Sequence, residues 1–216
     1  MRLLAACFAL AVFGVAVVGA EVFFFEAEEY DEEKSNPAFN EQGLNAAWDI
    51  KQEDKDAFNK QYMMSRGANR DVVEAAAGLV YVVPSVRQPN GWALWVRCIM
   101  PTTGSDSFFY QISQDSGKNW NPPTAAHGGA QWEEWQWHRW NLGTLKKGED
   151  NALRIGEREN NAKLDVICLR NDGKIPTDEE YEQYLKDEPK RRFAVDARGK
   201  LAGTWGRVKS DVRLDY

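Results

Sequence analysis

The sequence predicts an all-β fold: an antiparallel β-sandwich with a short helical C-terminal extension. Two observations predict the sandwich. Short runs of β-branched and aromatic residues recur, with Gly, Pro, Asn and Asp between them. Helix–strand alternation, which would build a parallel sheet, is absent from the pattern. A third observation predicts the extension, because the composition changes after Pro176 to a charged, helix-forming stretch.

The elements follow in order. Val22 to Phe25 is a short apolar run of strand formers. Strands are expected around Trp48-Asp49-Ile50 and Tyr62-Met63-Met64, within a polar stretch. Gly78 to Val83 ends at Pro84, and Trp92 to Ile99 follows a Pro89-Asn90-Gly91 turn. Ser107 to Ile112 precedes an Asp115-Ser116-Gly117 turn. Trp135 to Trp140, Ala152 to Ile155 and Leu164 to Leu169 complete the set. Thr177-Asp178-Glu179-Glu180 is a capping box, a threonine cap with a glutamate three residues on. Tyr181, Tyr184 and Leu185 share one face of the helix it starts, and Pro189 is expected to stop it. The rest of the tail is either an ordered extension or a tether, and Lys190-Arg191-Arg192 reads as a solvated turn.

The chain has 216 residues and a formal net charge of −6, a balance that disfavours a nucleic-acid partner. With 43% hydrophobic and 28% charged residues it is expected to fold rather than remain disordered. Arg2 followed by the uncharged run Leu3 to Ala20, ending Val18-Gly19-Ala20, fits a cleavable export signal. The alternative, a retained membrane helix, is disfavoured by the small residues at its end and the missing basic flank. The expected organisation is a signal over 1–20, a sandwich over 21–176 and a C-terminal extension over 177–216. The protein would be secreted, with no membrane insertion after cleavage, and its tail is open to a protein partner.

Three features bear on chemistry. Glu26 and Glu28 are two apart at the first strand, so in extended chain they project to one face, ~7 Å apart along it. Asp165 lies in the apolar strand Leu164-Asp165-Val166-Ile167, where a carboxylate needs a partner or a cation. If the first and last strands are neighbours, the three acids can surround one hard ion such as calcium; otherwise they form an acidic strand and a salt bridge. Second, nine tryptophans are many for this length, and Trp132, Trp135, Trp137 and Trp140 cluster after Trp120. Indole rings stack on sugar C–H faces as readily as they fill a core. Third, the acid pairs Glu133/Glu134 and Glu157/Glu159, with two histidines in the chain, give no recognisable catalytic motif. Cys98 and Cys168 lie in expected strands, either paired or buried as free thiols.

The order of motifs resembles a known family. Phe25-Glu26-Ala27-Glu28-Glu29-Tyr30 is followed by Tyr81-Val82-Val83-Pro84 and Trp92-Ala93-Leu94-Trp95-Val96-Arg97. Then come Ser107-Phe108-Phe109-Tyr110, Trp135-Gln136-Trp137 and Arg158-Glu159 ahead of Leu164-Asp165-Val166-Ile167. Over residues 22 to 176 the chain looks like carbohydrate-binding modules of families six and thirty-five, galactose-binding-like jelly rolls. The resemblance implies a structural calcium on Glu26, Glu28 and Asp165, with backbone carbonyls from an early loop near Asp56 to Lys60. It also implies a glycan or polysaccharide ligand at the sandwich rim, on Trp120 or Trp132 with Asn171, and no catalysis. The alternative from another class is a structural or adhesive sandwich whose tryptophans are all core.

Overall fold

The computed structural model describes residues 19–35, 48–52, 54–66, 78–127 and 133–196. Residues 1–18 of the candidate signal, Trp132, and the tail beyond Asp196 lie outside the described residues. Among the described residues ten strands form two antiparallel sheets. They are β1 (Val22–Glu26), β2 (Trp48–Gln52), β3 (Gln61–Ser65), β4 (Gly78–Val82) and β5 (Trp92–Ile99). Next come β6 (Ser107–Ser113), β7 (Thr124–His127), β8 (Gln136–Gly143), β9 (Ala152–Gly156) and β10 (Lys163–Arg170). The larger sheet runs β2-β3-β10-β5-β8, with β1 also on β10; the smaller runs β4-β9-β6-β7.

Between the sheets lies the main core. Leu94, Val96 and Cys98 of β5, Ile167 and Leu169 of β10, and Phe108 and Tyr110 of β6 share it. Their i, i+2 spacing is the strand period that puts alternate residues on one face. The other residues of β5 and β10 are also apolar. Phe24, Ala93, Trp95, Val166 and Cys168 form a second cluster on the outer face of the larger sheet, joined by Tyr181. Tyr181 belongs to α1 (Asp178–Asp196), which covers that face. Cys98 and Cys168 are both free, one in each cluster and so on opposite faces of the sheet.

Thr177 caps α1 as expected: its Oγ1 accepts from the Glu180 amide at 3.1 Å. The Glu180 carboxylate turns away from the cap to Arg170, 2.7 Å from Nη1. The helix does not stop at Pro189 but runs on to Asp196. Proline removes one hydrogen bond of the ladder and leaves the following turns free to form. Strand β7 is not among the strands expected from the sequence; its Thr124-Ala125-Ala126 run carries little strand propensity, and pairing with β6 organises it.

Strand β10 changes partner along one edge. Its start pairs with β3 (Leu164↔Met63) and its remainder with β1 (Val166↔Glu26). Asp165 sits at that junction, where the register against β5 also shifts. A bulge of this kind re-aims a side chain.

Candidate functional site

Two places hold the residues singled out by sequence. The first is the acidic cluster at the β10 junction. Because β1 pairs with β10, Glu26 lies beside Val166, and the Ala27 amide donates to the Asp165 carbonyl at 2.8 Å. Glu28 follows in a turn rather than in the strand. Burial raises its carboxyl to about 7, helped by the charges of Glu26, Asp165 and Glu29. Its Oε2 is buried with no hydrogen-bond partner among the described residues. Burial likewise raises Asp165 to about 7, against the pull of the Arg97 guanidinium. The structure therefore brings Glu26, Glu28 and Asp165 into one electrostatic cluster.

Its counter-charge comes from strand β5. Arg97 is buried, and its guanidinium bonds the Asp165 carboxylate, the Asp56 carbonyl at 3.1 Å and both oxygens of Asp178. Asp178 also accepts from Trp137 Nε1 at 2.9 Å. Glu26 Oε1 accepts from the Tyr181 hydroxyl at 2.7 Å and from the Asn59 side-chain amide. Sequence reasoning missed Arg97, Tyr181 and Asp178. A charged residue inside the apolar run of β5 was the available signal.

The cluster can be tested as a calcium site. Its donors are hard oxygens of the kind calcium takes, and the buried orphan oxygen of Glu28 is a group that a cation would satisfy. The ligand set is not closed: among the described residues no three Asp, Glu, His or Cys side chains have metal-binding spacing. Arg97 already engages Asp165 and the Asp56 carbonyl. The oxygen donors are of the type calcium takes, their arrangement is not a closed ligand set, and Glu28 Oε2 is the atom left without a partner among the described residues.

The second place is the rim at the ends of β6 and β8. The loop after β6 is fixed by its own side chains. Asp115 accepts from the Asn119 amide at 2.8 Å, the Asn119 side chain at 2.6 Å and Ser113 Oγ at 2.7 Å, and these bonds lower its carboxyl to about 2. Gly117, at φ 90°, occupies a left-handed position open to glycine without strain. Asn121 continues the ladder beyond β6, its amide donating to the Ile112 carbonyl at 3.0 Å. Gln114 Nε2 ties the loop to the Thr144 carbonyl at 2.9 Å.

Between these loops opens a cavity of about 480 Å³, lined by Trp120 and Leu142, the polar residues Gln114, Asp115, Asn119, Asn121 and Thr144, and Ile112. Trp120 is half-buried. One indole wall with amides, a hydroxyl and a carboxylate around it matches the surface of a sugar, apolar on its C–H face and polar at its rim. Asn171 does not line this cavity. Its Oδ1 accepts from the Glu21 amide at 2.9 Å, while its Nδ2 is buried without a partner among the described residues. Trp48, Trp92, Trp95 and Trp140 are core residues. Trp137 packs under α1 against Phe24, and Trp135 sits edge-on to Tyr62.

No protein-family model matches the sequence, and no curated protein matches it. Solved structures do match. A family 35 carbohydrate-binding module from Clostridium thermocellum is 17% identical, covering 68% of this chain and 97% of its own, with a TM-score of 0.43. The C-terminal CBM6 of LamC, a marine laminarinase from Zobellia galactanivorans, is 8% identical over 69% of this chain and 98% of its own, TM-score 0.42. A module from Cellvibrio mixtus lichenase 5A, solved with cellotriose, is 10% identical over 68% and 95%, TM-score 0.40. These three neighbours are carbohydrate-binding modules of families six and thirty-five, and other matching structures are named as an isomalto-dextranase, an exo-beta-1,3-galactanase and an endo-beta-1,4-mannanase. Among the described residues no helix is long and apolar enough to cross a membrane.

Proposed function

We propose that the protein is a secreted, non-catalytic carbohydrate-binding module whose ligand sits in the Trp120 cavity. One observation carries this reading: a half-buried indole, held by a rigid loop, forms a cavity wall beside Gln114, Asp115, Asn119, Asn121 and Thr144. Such a site recognises a neutral pyranose by stacking and by hydrogen bonds, and it offers no general acid and base placed across a bond. Of the acid pairs noted in the sequence, Glu157 and Glu159 are buried, Glu133 and Glu134 are exposed, and none lines the Trp120 cavity. Calcium is part of the proposal: Glu28, with Glu26 and Asp165, would hold it, and it would neutralise their crowded charge. Secretion rests on the segment before Glu21. The experiment is affinity electrophoresis of the mature chain against soluble β-glucan, xylan, mannan and galactan. Retardation by at least one, abolished by Trp120→Ala, is expected. Retardation by none would leave a structural or adhesive module.

A further inference from the structure

We propose that Arg154 is a positioning residue for the sugar site, holding the Trp120 indole in place from the side away from the ligand. The inference rests on the sugar reading of the cavity. Arg154 stands in the middle of β9, paired with Val80 on one side and Gln111 on the other, and is buried. Its guanidinium carbon lies 3.9 Å from the centroid of the Trp120 ring. Arg154 does not line the cavity, whereas Trp120 does. The indole thus has the cation on one side and the cavity on another.

Two further contacts fix this arrangement. Arg154 Nη1 donates to Gln111 Oε1 at 3.1 Å, and Gln111 Nε2 donates to the Asn121 carbonyl at 2.8 Å. Arginine, glutamine and the residue after Trp120 therefore form one chain of bonds. The stem of Arg154 crosses the sheet over Gly78. A Cβ at that position would stand 2.4 Å from Cδ and 2.5 Å from Cγ of Arg154. No left-handed backbone requires glycine there; the space for the arginine does. Among the described residues Arg154 makes no ion pair with a carboxylate, so the ring face and the Gln111 side-chain carbonyl are what compensate the burial of its charge. A cation over an indole is attracted by the ring quadrupole, most strongly where water is excluded. That attraction fixes the indole side chain on a loop already held by its own hydrogen bonds, which lowers the ordering cost a ligand must meet.

The test uses Arg154→Met, Arg154→Lys and Gly78→Ala in the mature chain. Each is labelled with 5-fluorotryptophan, and the Trp120 resonance is identified by its absence from Trp120→Phe. Affinity for soluble β-glucan, xylan, mannan and galactan is measured in parallel. Arg154→Met and Gly78→Ala are expected to shift or broaden the Trp120 resonance and weaken binding about 3- to 30-fold, with Arg154→Lys between them and wild type. Gly78→Ala keeps the arginine and displaces it, so the test survives if Arg154→Met fails to fold. An unmoved resonance and unchanged affinity in Gly78→Ala and Arg154→Lys, with binding abolished in Trp120→Ala, would overturn the role of Arg154 and spare the sugar site. No binding by wild type would overturn the sugar reading, and the ligand role of Arg154 with it.

Discussion

Replacing Tyr181 should reveal whether helix α1 is a structural member of the fold or a detachable extension. Tyr181 is only 1% exposed. Its ring meets Phe58 at 4.7 Å and Phe24 at 5.2 Å between centroids, and its hydroxyl donates to Glu26 at 2.7 Å. Tyr181→Phe keeps the ring and removes a hydrogen bond to a charged group, worth about 1.5–3 kcal/mol. Asn59 remains on the same oxygen of Glu26, so the lower half of that range is expected. Tyr181→Ala also empties an aromatic site, and large-to-small changes of this kind cost about 3–5 kcal/mol. For a chain of this size those figures correspond to losses of about 3–9 °C and about 6–20 °C in melting temperature. Differential scanning calorimetry with parallel chemical denaturation is the assay. A Tyr181→Ala change no larger than an exposed substitution, roughly 0.5 kcal/mol, would refute the docked-helix argument.

Two other outcomes follow from the buried charges. Chelator should lower the melting temperature of calcium-loaded protein, because a ligand bound only by the native state stabilises it by mass action. Glu28→Gln should abolish that dependence without breaking the Arg97–Asp165 pair; a melting curve indifferent to calcium and chelator would sink the calcium site. His138 supplies a pH dependence: burial lowers its folded value to about 4 from an ordinary 6.5. The unfolded chain then binds the proton more readily, so stability is full above pH 6.5 and falls as pH drops towards 4. His138→Gln should flatten that part of a melting-temperature profile, and an unchanged slope would assign it to other groups.

The strands that carry the core were legible because their apolar runs are long and end at turn residues. Trp92 to Ile99 matches β5 at both ends, and the first and last strands are neighbours. Strand β7 was not legible, since Thr124-Ala125-Ala126 has no alternation and takes its form from β6. The apolar residues on both faces of β5 held a message that periodicity alone leaves open: the outer face is covered, and α1 covers it. In the sites, the nearness of Glu26 to Asp165 could be read once β1 was placed beside β10, though among the described residues the acids do not form a shared ion-binding set. Arg97 was legible only as a charge inside an apolar run, because its partners Asp56, Asp165 and Asp178 come from three distant segments. Trp120 stood out through its turn-rich context. Its companions are the loop residues around it and Thr144, rather than Asn171, which is tied to Glu21.

The central claim is that the Trp120 cavity binds a neutral sugar. Isothermal titration of the mature chain with the glycan that retards it most, repeated with Trp120→Ala, tests it directly. An open site of this kind should bind in the range of about 0.1–1 mM, and the variant should lose measurable heat while still unfolding in a cooperative transition. Equal affinity in wild type and Trp120→Ala would contradict the account.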